Sequence, residues 1–164
     1  MLAMMLVLVL QRDVFVGGGI ERGTSFTDTR VLIGKSFGVK AYPFPIKKLG
    51  FLYHYQFTKP NISVPDPFTI AKSQHTHFVA PVFRFSALRV QPWIAPGVIM
   101  YREKTKISVL GEEVFKEIDK KIAFSVSAGT DFNLWKRMYA EPTISLSLVK
   151  RPSWQTGLCF YWRF

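Results

Sequence analysis

The chain has 164 residues, 48% of them hydrophobic and 20% charged, with a formal net charge of +11. That length fits one domain, and that apolar content excludes a disordered chain. No stretch reaches the ~20 consecutive apolar residues of a spanning helix. A single cysteine, Cys159, excludes an intramolecular disulfide. The basic residues are spread along the chain and form no recognised nucleic-acid motif, so the charge points to a solvated or headgroup-facing surface and to no nucleic-acid partner.

The chain opens on its longest apolar run, "MLAMMLVLVL". Its length suits the apolar region of a signal peptide, ~7–15 residues. Residues 1–12 are expected to be a signal-peptide remnant or an extra N-terminal segment, with the domain spanning 13–164. From there alternation takes over. In 13–26 Val14, Val16 and Ile20 share one face, and Phe15, Gly17, Gly19 and Glu21 the other. In 29–42 Val31, Ile33, Phe37, Val39 and Ala41 oppose Gly34, Ser36, Gly38, Lys40 and Tyr42. In 49–57 Leu49, Phe51, Tyr53, Tyr55 and Phe57 oppose Gly50, His54 and Gln56. In 75–86 Val79, Pro81, Phe83 and Phe85 oppose Ala80, Val82 and Arg84. A period of two is the mark of a strand with two unlike faces.

The second half continues in the same way. In 88–102 Val90, Ile94, Val98 and Met100 share a face with Pro92 and Pro96. In 120–134 Ile122, Phe124, Val126, Ala128, Phe132 and Leu134 oppose Ala123, Ser125, Ser127, Gly129, Asp131 and Asn133. In 138–149 Ile144, Leu146 and Leu148 oppose Glu141, Thr143, Ser145 and Ser147. In 154–164 Leu158, Phe160, Trp162 and Phe164 oppose Gly157, Cys159, Tyr161 and Arg163. That makes eight strands. The longer joints, 58–74 and 102–119, are expected to be exposed loops, with a weak helical pattern over 109–119. Short joints are expected at 26–29, 42–49, 86–88, 133–137 and 150–153.

Residue types decide which face meets which solvent. The polar faces are built from Gly, Ser, Thr and Ala with occasional charges, which suits the narrow inside of eight strands. A water-facing exterior would be crowded with long charged side chains. The apolar faces are Ile, Phe, Val and Leu, and Phe44, Tyr101, Trp135, Trp154, Trp162 and Phe164 gather at strand ends, as interfacial girdles require. The expected fold is an all-β, eight-stranded antiparallel transmembrane barrel with up-and-down topology. In lipid every backbone polar group needs an internal partner, so the last strand must close on the first, near residues 13–22.

On these residues the sequence resembles the OmpA-type outer-membrane β-barrel family of Gram-negative bacteria, from about residue 13 to 164. The sharpest part is the ending, Leu158, Phe160, Trp162 and Phe164. "FSVSAGTDFNL" looks like the family's penultimate strand and turn, "RVQPWIAPGVIMYR" is similar to another of its strands, and "SFGVKAYPFPIKKLGFLYHY" to its early strand–turn–strand. The resemblance implies residence in the bacterial outer membrane, both termini in the periplasm, and an ending read by the outer-membrane assembly machinery. It implies a structural or surface-interaction role, with outer-membrane lipids and lipopolysaccharide as partners and an extracellular partner through 58–74 and 102–119.

The inward charges are Glu21, Lys40, Arg84, Asp131, Glu141 and Arg163. In a dry lumen they must pair, and the network reads either as a plug or as a gate on a narrow ion path. His54 points inward and is expected to be hydrogen-bonded there. His75 and His77 lie on one strand face near the mouth, without a Cys or carboxylate to complete a metal site. No cofactor is expected. Two rival readings stay open. One is a lipid A-modifying barrel enzyme, for which His77 is the candidate base, although no Ser and acid stand with it. The other is a soluble lipocalin-like carrier, which needs the opposite assignment of faces.

Overall fold

A computed structural model describes residues 11–24, 31–43, 48–59, 61–62, 66–85, 89–148 and 153–164. The apolar run 1–10, Phe44, and all or part of the joints at 26–29, 42–49, 86–88 and 150–153 lie outside the described residues. The alternating segments are strands: β1 (Gln11–Thr24), β2 (Val31–Pro43), β3 (Leu49–Thr58), β4 (Asn61–Ile62), β5 (Phe68–Arg84), β6 (Val90–Val109), β7 (Glu112–Trp135), β8 (Met138–Leu148) and β9 (Ser153–Arg163). The eight long strands form a ring in which β1 pairs with β2 and β9, and β3 pairs with β5. β4 is a two-residue addition on β5.

The seam that closes the ring runs antiparallel from Phe15 opposite Arg163 to Gly23 opposite Gln155. The greasy ending is part of it, because the amide of Phe164 donates to the carbonyl of Val14 at 2.8 Å. Gly17 and Gly19 face inward on this seam. A Cβ on Gly17 would sit 2.0 Å from the Phe160 carbonyl oxygen, and one on Gly19 would sit 2.1 Å from that of Leu158. Both contacts are with backbone, so relief means moving a strand. Gly17→Ala is expected to destabilise the barrel by about 1–3 kcal/mol, the usual cost of overpacking. Denaturant unfolding in detergent micelles checks this.

The exterior is apolar around the ring. Ile20, Phe37, Phe51, Phe83, Ile94, Val98, Phe124, Ile144, Leu146, Leu158, Phe160 and Trp162 are all exposed. Soluble proteins rarely expose a contiguous apolar patch beyond a few hundred Å². A continuous belt of this kind belongs against acyl chains. No helix is present among the described residues.

Two expected loops are largely strand. Pairing of β3 with β5 stops at Thr58 opposite Gln74, and pairing of β7 with β8 stops at Phe124 opposite Leu148. Beyond those rows β5, β6 and β7 stay paired as far as Phe68, Val109 and Glu112. Residues 102–119 are therefore a projecting hairpin and not a loop, and 109–119 holds no helical turn. Its tip is Leu110–Gly111, with φ of 53° and 89°. Positive φ at both central positions is what a two-residue hairpin turn of matching twist requires. Residues 68–74 are likewise the outer part of β5. The strand pairing persists there, but Lys and Arg replace apolar residues on the outward face of β6 and β7. Outside the bilayer that face meets water and headgroups.

Candidate functional site

The lumen is filled by inward residues from every long strand. In the half of the lumen nearer the β7–β8 turn, the ammonium of Lys40 on β2 lies between the carboxylates of Asp131 on β7 and Glu141 on β8, and all three are buried. The indole Nε1 of Trp93 donates to Glu141 Oε2 at 3.2 Å. Aromatic rings close around the cation. Its distance to the ring centre is 4.7 Å for Tyr161, 5.2 Å for Trp93 and 5.5 Å for Phe15. Trp93 fits because Gly129 faces it, where a Cβ would lie 2.7 Å from the indole. Arg84 stacks on Tyr42 at 3.6 Å and on Phe15 at 5.2 Å.

Of the six inward charges read from the sequence, Lys40, Asp131 and Glu141 come together as one cluster. Arg84 packs beside it through the rings of Tyr42 and Phe15. Glu21 and Arg163 do not join. Glu21 pairs with His54 at 2.5 Å, higher in the lumen. Arg163 donates from Nε to Asp13 at 2.8 Å and from Nη1 to Tyr139 at 3.3 Å, at the end of the barrel where β1 begins and β9 ends. Asp13 was missed by sequence reasoning. Its signal was available, because it stands two residues before Phe15 on the same inward face.

Towards the outer end the filling turns to small polar groups. Ser127 pairs with Ser145 at 2.7 Å, Ser147 donates to Ser125 at 3.0 Å, and Gln155 donates to Gln56 at 3.0 Å. A cavity of only about 30 Å³ remains among them, above the Lys40 cluster. Cys159 is buried on the inward face and lies 3.4 Å from Ser36 Oγ.

The projecting sheet separates charge between its faces. Outward-facing Arg102 lies opposite Lys120 and Lys106 opposite Lys116, with Lys104 between them on β6. The carboxylate on this face is Glu113. Lys106 donates a hydrogen bond to it and holds its carboxyl below the usual range. The inward face carries Glu103, with Lys72 3.5 Å away, and Asp119, with Lys121 2.7 Å away. His75 and His77 point outward. Their ring nitrogens pair with the Tyr55 and Tyr53 hydroxyls at 2.8 and 2.9 Å. His75 sits in the first row outside the apolar belt, opposite Arg102. Partial burial, then Arg102 and His77, hold its pKa below the ordinary histidine range. Among the described residues no cluster of three or more His, Cys, Asp or Glu could hold a metal ion.

No family model and no curated protein matches this sequence. Solved structures do match its fold. Neisserial surface protein A aligns with a TM-score of 0.67 at 12% identity, over 93% of this chain and 96% of its own. Ail, the attachment invasion locus protein of Yersinia pestis, in complex with the heparin analogue sucrose octasulfate, aligns at 0.66 and 15% identity, over 93% and 97%. OprG from Pseudomonas aeruginosa aligns at 0.65 and 11%, over 93% and 95%. All three are outer-membrane or surface proteins. At these identities the likeness is one of fold: this chain is an eight-stranded β-barrel of the outer-membrane type.

Proposed function

We propose that this chain is an integral protein of the bacterial outer membrane that serves a structural or surface-interaction role and is no enzyme. Residues 13–164 are its barrel, and 1–12 are a signal remnant or an extra segment ahead of it. The observation that carries the reading is the filled lumen. The Lys40–Asp131–Glu141 cluster with its aromatic collar fills the lumen on the side of the β7–β8 turn, and the cavity above it is about 30 Å³. That is room for a water or two and for no solute. What the barrel offers to its surroundings is therefore its exterior and its projecting sheet. The charge cluster acts as a plug, with at most a narrow gated ion path through it. In planar bilayers the purified chain is expected to show no sustained open level. Steady conductance, or leakage of small sugars from liposomes, would refute the plug.

Lipids of the outer leaflet, lipopolysaccharide among them, are the partners that the outward cations Arg102, Lys104 and Lys120 favour. Segments 58–74 and 102–119 are the surfaces for an extracellular partner. The structural neighbour Ail has been captured with a sulfated heparin analogue, and an anionic partner suits the basic outward face here. Leu158, Phe160, Trp162 and Phe164 are the assembly signal. Phe164 also ties β9 to β1 through its backbone. Deleting it is expected to lower the amount of barrel inserted in cells several-fold while leaving refolding in detergent within about twofold. Insertion is read from heat-modifiable protein in membrane fractions. Equal losses in both settings would mean that Phe164 acts only through the seam.

A further inference from the structure

Above the apolar belt, β5 runs along the bottom of a trough. Its outward residues there are small, Ala71 and Ser73, and then His75. The flanking strands supply long walls. Phe57 and Lys59 stand on one side. Lys104, opposite Ser73, and Lys106, opposite Ala71, stand on the other. The space between them is about 410 Å³, within the usual range of about 300–1,000 Å³ for small-molecule sites. Among the described residues neither Lys59 nor Lys104 has a carboxylate within ion-pair distance, while Lys106 shares Glu113. The sheet beside the trough also sets like charges directly opposite one another, Arg102 against Lys120 and Lys106 against Lys116. Such pairs destabilise a bare sheet, and a bound anion relieves them.

We propose that this trough binds the phosphate monoester of a lipid headgroup in the outer leaflet. This rests on the reading of the chain as an outer-membrane barrel. Three ammonium groups around a concave floor suit a compact anion with three acceptor oxygens and close to two charges. The trough begins in the first row above the acyl-facing belt, which is headgroup depth, and the Phe57 wall gives the lipid's apolar part a contact. The groups facing His75 are Phe57 and Tyr55 from β3, His77 from its own strand, and Arg102 and Lys104 from β6. None of these is acidic, and the carboxylate at the trough is Glu113, held by Lys106 on the wall.

The test uses the full chain refolded in detergent, with a bis-phosphorylated diglucosamine lipid and its dephosphorylated counterpart as probes. The wild type is expected to retain the phosphorylated lipid far more tightly. Lys59→Gln, Lys104→Gln and Lys106→Gln combined should weaken it by roughly a hundredfold, about fivefold for each lysine. A variant with the same charge change elsewhere, Lys48→Gln, Lys121→Gln and Lys136→Gln, should stay within about threefold of wild type. Equal retention of both lipids overturns the site, as does an equal loss in the control variant. Displacement by inorganic phosphate at matching concentration overturns the headgroup as source. Each variant is also run unboiled on a denaturing gel. A faster band without lipid preference defeats only the trough, whereas a wild type with no faster band defeats the barrel reading and the trough with it.

Discussion

Replacing Lys40 with Met should destabilise the barrel by about 3–5 kcal/mol, the cost of stranding a buried charge. Lys40 is the cation that lies between Asp131 and Glu141, and all three side chains are out of contact with solvent. Without it two carboxylates would face each other in a low-dielectric lumen. Arg84 cannot replace it easily, because its guanidinium is stacked on Tyr42 and Phe15. A companion variant isolates charge from packing. Lys40→Met combined with Asp131→Asn and Glu141→Gln removes every charge of the cluster and keeps an acceptor for the Trp93 indole. It should recover most of the lost stability. Guanidinium unfolding in detergent micelles reads both. A triple variant as unstable as the single one would mean that shape, and not charge, is what Lys40 supplies.

The second large effect concerns the lipid face. Ile144 on β8 is 56% exposed and pairs with Ala128, midway along the apolar run from Ile122 to Leu134 on β7. Ile144→Arg is expected to cost ~2–4 kcal/mol in a bilayer, as for Arg near the midplane of a membrane barrel. Ile118 is also outward-facing and 42% exposed, but it lies in the row above Lys120 and Arg102. Ile118→Arg should cost at most about 1 kcal/mol. The comparison keeps residue type and exposure similar and changes depth. Folding titrations in phospholipid vesicles measure it, and equal costs at the two positions would place the bilayer boundary elsewhere.

Much of the barrel was legible because lipid and lumen impose opposite demands on neighbouring residues. Phe160 and Cys159, or Phe124 and Ser125, could hardly be exchanged without penalty, so each strand carries its own facing. The closing of the last strand on the first was legible for the same reason, since a sheet in lipid has no tolerable edge. The outer halves of β5, β6 and β7 were harder to read. Once a strand leaves the bilayer, both of its faces turn polar, and a segment such as Lys104 to Lys106 loses the contrast that marks alternation. Partners within the lumen were harder still. Arg163 meets Asp13 across 150 positions and Lys40 meets Asp131 across 91. Such pairs follow from register and closure around the ring, and no local spacing encodes them. The pairing of Glu21 with His54 is of the same kind.

The four tryptophans offer a direct test of which face meets lipid. Trp135, Trp154 and Trp162 point outward and are 63%, 44% and 45% exposed, whereas Trp93 faces the lumen and is 3% exposed. Single-tryptophan variants keeping either Trp162 or Trp93, the others changed to Phe, can be refolded into vesicles of brominated phospholipid. Strong quenching of Trp162 and little quenching of Trp93 is the expected result. Quenching of Trp93 with Trp162 open to aqueous iodide would turn the barrel inside out, and the membrane assignment would fall.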